Sequence, residues 1–115
     1  MVPFRPAERI RRRPEFQRVH EQGTRRAGRY MTALFLPNGL EHDRLGIAAS
    51  RRLGGAVQRN RAKRLIREIF RRNKPNTGGH DIVIIPKPVL LNADYQSLEA
   101  DFRSVCQRYA KRDRG

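Results

Sequence analysis

Tryptophan is absent from this chain, and cysteine and acidic residues are scarce. Cys106 is the one cysteine in 115 residues, so no disulfide can form within the chain. That excludes a disulfide-stapled secreted scaffold and makes a reducing cytosol the default expectation. No apolar run approaches the ~18 residues of a membrane-spanning helix. The opening Met1-Val2-Pro3-Phe4-Arg5 lacks an apolar stretch that could act as a secretory signal. The length suits one domain, and a hydrophobic content of 37% is enough for one modest core. Asp and Glu number 11 against 26 Lys and Arg, which leaves a net charge of +15.

A charge of that size on so small a body costs stability by self-repulsion, and a polyanionic partner offsets it. Arginine dominates the bases, with lysine only at Lys63, Lys74, Lys87 and Lys111. Guanidinium offers phosphate a planar fork of donors and stacks on bases, which favours nucleic acid. A GC-rich genome would also enrich arginine over lysine, but it does not account for the excess of positive charge.

Residues 1–13 read as a basic, weakly patterned arm. Pro14 suits the first turn of a short helix with Phe16, Val19 and His20 on one face, ended by Gly23. Residues 29–36 read as a strand, Pro37-Asn38-Gly39 as a turn, and 44–51 as the antiparallel partner strand. A strong helix follows over 56–72, with Ala62, Leu65, Ile66, Ile69 and Phe70 as its apolar stripe. Residues 74–79 form a loop, and the near-continuous apolar run 80–86 suits a strand buried on both faces. Asn92 is a candidate N-cap for a last helix to about Tyr109, with Tyr95, Leu98, Phe102, Val105 and Tyr109 facing inward. The end of the chain, 110–115, reads as a basic tail. The order of helix, strands, helix, strand, helix defines one α+β or α/β layer structure with a small sheet.

The densest signal lies between Arg51 and Arg72, where nine of 22 residues are basic and Glu68 is the only acid. Asn60, Lys63, Arg64, Arg67 and Arg71 fall on one helical face, away from the apolar stripe. Like charges at this spacing repel. A face that is merely solvated usually interleaves acids, so the arrangement points to an external polyanion. A membrane-bound amphipathic helix would have to expose the apolar stripe that the core needs. A helix-turn-helix reader of DNA would have a helix, not strands, before its basic helix.

Arg59-Asn60-Arg61-Ala62-Lys63-Arg64-Leu65-Ile66-Arg67-Glu68 resembles the RNR signature of the bacterial ribonuclease P protein component. Leu45-Gly46-Ile47, Ser50-Arg51-Arg52-Leu53-Gly54 and Gly78 with His80 to Ile85 resemble that family's flanking segments in order and spacing. Glu15-Phe16-Gln17-Arg18-Val19 with Gly23 resembles its first helix. The resemblance spans about Arg12 to Tyr109. It implies a single small α+β domain, its boundaries at 14 and 109, with a central, mostly antiparallel sheet of about four strands packed with three helices. The implied order is α-β-β-β-α-β-α, with a left-handed crossover around the RNR helix.

The resemblance also implies a function. Such proteins are the small subunit of a ribonucleoprotein that removes the 5′ leader from precursor tRNA. The large RNA subunit is the catalyst and uses magnesium. The positions that match the surface contacting the catalytic RNA are Arg51, Arg52, Arg59, Asn60, Arg61, Lys63, Arg64 and Arg67. Asn60 can meet a base edge or 2′-hydroxyl, or else bond to nearby backbone; Arg59 and Arg61 can meet RNA or pair with an acid. The positions that match the cleft for the single-stranded leader are Phe16, His20, Thr32, Leu34, Ala48 and Ser50. His20 and Leu34 stand where relatives often carry aromatics, and Phe16 suits either a stacking platform or the core.

No catalytic residues emerge in the chain itself. His20, His42 and His80 have no Cys or carboxylate grouping at metal-ligand spacing, so the sequence identifies no metal ligands. Cys106 borders the apolar face of the last helix and reads as a core residue. The expected partners are the catalytic RNA and precursor tRNA, with no membrane and no DNA. The alternative is a general RNA-binding or ribosome-associated protein with no part in cleavage.

Overall fold

The computed structural model describes residues 8–75 and 77–114. Helix α1 (Arg13–Gln22) leads into β1 (Thr24–Ala27), β2 (Met31–Pro37) and β3 (Arg44–Ile47). A 3-10 turn at Arg51–Leu53 precedes α2 (Ala56–Arg72), and β4 (His80–Pro86) follows. A second 3-10 turn, Pro88–Asn92, precedes α3 (Tyr95–Arg114). The element order is α-β-β-β-α-β-α, as the resemblance implies.

The four strands lie in the order β1-β2-β4-β3. β2 pairs antiparallel with both β1 and β4, whereas β3 pairs parallel with β4. This corrects the expected hairpin between residues 29–36 and 44–51. β3 also ends at Ile47, not Arg51. The cause is the apolar character of β4: Ile82, Val83 and Ile84 are fully buried, so the strand needs a neighbour on each side and separates β2 from β3. β1 gave no signal in the sequence, because Thr24-Arg25-Arg26-Ala27 is an edge strand with no apolar alternation.

Alternation along the strands makes two faces. Met31, Ala33, Phe35, Ile82 and Ile84 point to one face, where α2 and α3 bring Ala62, Ile66, Ile69, Phe70, Leu98, Phe102 and Val105. Leu34 and Val83 point to the other face, where Val19 of α1 and Ile10 form a small second cluster. The apolar stripes expected on the second and third helices therefore both face the core.

Three further expectations are corrected. The arm is not unpatterned throughout. Arg9 bridges Leu45 in parallel fashion and the Ile10 N–H donates to the Leu45 carbonyl at 2.9 Å, while residues 1–7 lie outside the described residues. The last helix starts after Asp94, not Asn92: the Asp94 carbonyl accepts from the Leu98 N–H, and its carboxylate from the Ser97 hydroxyl. It also runs to Arg114, so most of the expected tail is helical.

The 74–79 loop is fixed from below by Asp43. Its carboxylate accepts from the Thr77 N–H and hydroxyl and from the Gly79 and His80 N–H groups, at 2.6–3.1 Å. Gly79 has φ +108°, and a Cβ there would lie 2.0 Å from the Leu40 carbonyl oxygen, so only glycine fits.

Candidate RNA-binding surface

α2 carries its basic residues as the sequence pattern requires. Ala62, Ile66, Ile69 and Phe70 are buried, while Asn60, Arg61 and Arg64 are exposed on the opposite side. Arg59, Lys63 and Arg67 are half-buried. Arg51 and Arg52 are exposed in the 3-10 turn before the helix, whose N-cap is Ser50: its hydroxyl accepts from the Arg52 N–H at 3.3 Å. The first turn of α2 contains no acid, so its positive dipole end adds to these cations. Glu68, the one acid of the helix, is taken by Arg71. Burial, with the charge of Arg9 beside it, lowers the Arg67 pKa from its ordinary value. The fold thus holds like charges together at this edge of the molecule.

A groove of about 800 Å³ runs between α1 and the chain leaving β3. Phe16 and His20 line it from the helix, Ala48 and Ser50 from the strand side, and Lys63 from α2. Four of the six expected cleft residues are therefore brought together. Thr32 and Leu34 are not: each is only 3% exposed, and neither lines the groove. Leu34 packs in the cluster of Ile10, Val19 and Val83. The strand parity places both residues on the expected face, but that part of the face is covered.

Arg11 and Arg13 also line the groove. In the sequence they fall within the basic arm. The signal for Arg13 was its spacing: residues 13, 16, 17 and 20 share one face of a helix. Lys63 borders both this groove and a smaller cavity of about 190 Å³ lined by Arg9, Phe16, Gly46 and Arg67. The basic face of α2 and the groove therefore meet along one line of side chains.

α1 is anchored beside the groove by charge. Arg44 of β3 reaches Glu15 at 2.9 Å and grips Asp81 of β4 with two hydrogen bonds of 2.7 and 2.8 Å. Hydrogen bonding to Asp81 raises the Arg44 pKa further, so it stays a cation. Glu15 is pulled two ways. Partial burial raises its pKa, but the Arg44 hydrogen bond and charge and the backbone N–H groups of Arg12 and Arg11 outweigh that, and the net shift is downward. Glu15 adjoins Phe16, so this ion pair sets where the aromatic ring begins.

The remaining reactive side chains have structural surroundings. His80 Nε2 lies 2.7 Å from the Tyr109 hydroxyl, and the Tyr109 ring stacks on Phe35. Burial, with Asp43 nearby, pushes the Cys106 thiol up to about 12, which keeps it protonated at neutral pH. Among the described residues no group of three His, Cys, Asp or Glu side chains is placed to hold a metal ion. The Asp43 and Asp81 carboxylates are already taken up by donors from the chain. Among the described residues these side chains thus form no magnesium cage. Among the described residues no helix is long and apolar enough to cross a membrane.

A four-stranded mixed sheet packed with three helices, one of them strongly basic and beside an open groove, defines a small α+β class of protein. The chain belongs to the ribonuclease P protein component family: the family model for ribonuclease P matches residues 4–110. The ribonuclease P protein component of Thermotoga sp. strain RQ2 is 44% identical over 90 residues, covering 76% of this chain and 75% of that protein. The structure of the RNase P protein from Thermotoga maritima superposes with a TM-score of 0.80 at 37% identity, covering 88% of this chain and 96% of that one. That of the Staphylococcus aureus RNase P protein superposes with a TM-score of 0.79 at 31% identity, covering 89% and 94%.

Proposed function

We propose that this chain is the RNA-binding subunit of a cytoplasmic ribonuclease P, which cleaves the 5′ leader from precursor tRNA. In this reading the hydrolysis is carried out by the RNA subunit with magnesium. The chain contributes binding and orientation.

The observation that carries this reading is the adjacency of the groove and the basic helix face, joined through Lys63. The α2 face suits an RNA surface rich in phosphates: Arg51, Arg52, Arg59, Arg61, Lys63, Arg64 and Arg67 neutralise charge, and Asn60 can donate and accept at a sugar or base edge. The groove suits a single strand of variable sequence. Phe16 and His20 supply ring faces, and Arg11, Arg13 and Lys63 supply charge along the backbone. A strand held there would lie beside an RNA subunit bound across α2.

The test is precursor tRNA cleavage at low magnesium with three mixtures: a bacterial ribonuclease P RNA alone, this protein alone, and both. Cleavage at the mature 5′ end only in the complete mixture is the expected result. No enhancement by the protein would leave a general RNA-binding role. Cleavage by the protein alone would require a catalytic site in this chain.

A further inference from the structure

Phe16 borders both the large groove and the smaller basic cavity, so its ring forms part of the wall between them, with Ile47 and Lys63. Its tip rests on Gly46 of β3. A Cβ at position 46 would lie 2.7 Å from Phe16 Cε1, 2.8 Å from Phe16 Cζ and 3.2 Å from Ile10 Cβ. The first two distances are shorter than a Cβ tolerates to another carbon, so the ring would have to move. The backbone at Gly46 has no left-handed φ, unlike Gly39, Gly54, Gly78 and Gly79. Glycine is therefore required here for space and not for conformation. Gly46 sits in the parallel pairing with Val83, so the strand itself has little freedom to retreat.

The other end of the ring is equally constrained. Glu15, one residue earlier, is tied to Arg44, and Val19, three residues later, is fully buried. The backbone of α1 therefore fixes the root of Phe16, and Gly46 fixes how deeply the tip can sink. Any side chain at 46 would tilt the ring outward into the groove.

We infer that Gly46 is a positioning residue for leader binding: the missing side chain sets the depth and tilt of the Phe16 ring, and through it the capacity of the groove to stack a base of a single-stranded RNA. This rests on the groove being the leader site, and the test separates the two. Complete holoenzymes are assembled with wild-type protein, Phe16→Ala, Gly46→Ala and the double variant, and the affinity for precursor tRNA is compared with that for mature tRNA.

Gly46→Ala is expected to lower the precursor preference by about fivefold or more, the lower end of what one stacked base supplies. In the Phe16→Ala background the same change is expected to move it less than about twofold, since no ring remains to be displaced. Undiminished preference in Gly46→Ala would overturn the inference, as would an equal loss with and without the ring. Undiminished preference in Phe16→Ala would instead overturn the leader-groove reading.

A second measurement needs no change at position 46. A short single-stranded RNA added to the full-length wild-type protein should shift the Gly46 amide resonance, and Phe16→Ala should abolish that shift. An amide that stays still, or moves alike in both proteins, contradicts the inference.

Discussion

The two faces of the sheet are built to different ends. On one, α2 and α3 bury Phe35, Phe70, Phe102, Ile82 and Ile84 almost completely. On the other, the ten residues of α1 cover only a cluster around Ile10, Val19, Leu34 and Val83, and a groove stays open beside them. A chain with so modest a hydrophobic content concentrates its stability on the first face. The second is closed enough to fix α1 and leaves the groove open. The cations of α2 lie at the seam, where they destabilise the protein alone and suit it to a polyanion.

Removing the Phe35 ring tests the first face most severely. The ring is 1% exposed and stacks on Tyr109 at 4.2 Å, so Phe35→Ala should cost about 3–5 kcal/mol of unfolding free energy in urea titrations. Protein that remains folded should keep its preference for precursor tRNA; a small stability loss would mean that this face does not dominate. Phe16→Ala should do the converse. Its half-buried ring matters less to stability, and the holoenzyme should lose about 1–3 kcal/mol of affinity for precursor tRNA but little for mature tRNA. Equal losses on both substrates would assign Phe16 to the core.

Arg64→Ala sharpens the seam between the faces. The side chain is exposed, so stability should change by less than about 0.5 kcal/mol. The slope of log affinity for the catalytic RNA against log salt should fall by about one. An unchanged slope removes Arg64 from that interface. The smallest effect is expected from the Glu15–Arg44 pair, which is partly exposed. Because the Glu15 pKa is lowered on folding, its contribution is complete above the ordinary value of 4.5 and is lost as pH falls through the lower folded value. Glu15→Gln should flatten that acid limb of stability, and a limb of unchanged steepness would show that other carboxylates produce it.

Long elements with one strong period were legible in the sequence. The range of α2 and its two faces follow from 3–4 spacing, and β4 from its apolar run. Strand pairing was not legible. The turn at Pro37-Asn38-Gly39 suggests a local hairpin, while the demand of β4 for two neighbours is a property of the assembled sheet. β1 was invisible because an edge strand of Thr, two Arg and Ala carries no core signal. In the groove, helical spacing and resemblance located Phe16 and His20, and resemblance located Ala48 and Ser50. Parity also put Thr32 and Leu34 on the correct face, but parity does not tell which part of a face a helix will cover. Gly46 reads in the sequence as one more strand residue; its role is visible only once Phe16 lies on it.

The central claim is that the groove and the basic face of α2 hold different RNAs. With the half-buried Cys106 replaced by alanine, a thiol-directed photo-crosslinker can be placed selectively at Ala48→Cys or at Asn60→Cys. In the assembled holoenzyme with precursor tRNA, position 48 should crosslink to the 5′ leader and position 60 to the catalytic RNA. Leader crosslinks from position 60 with none from position 48 would contradict the account.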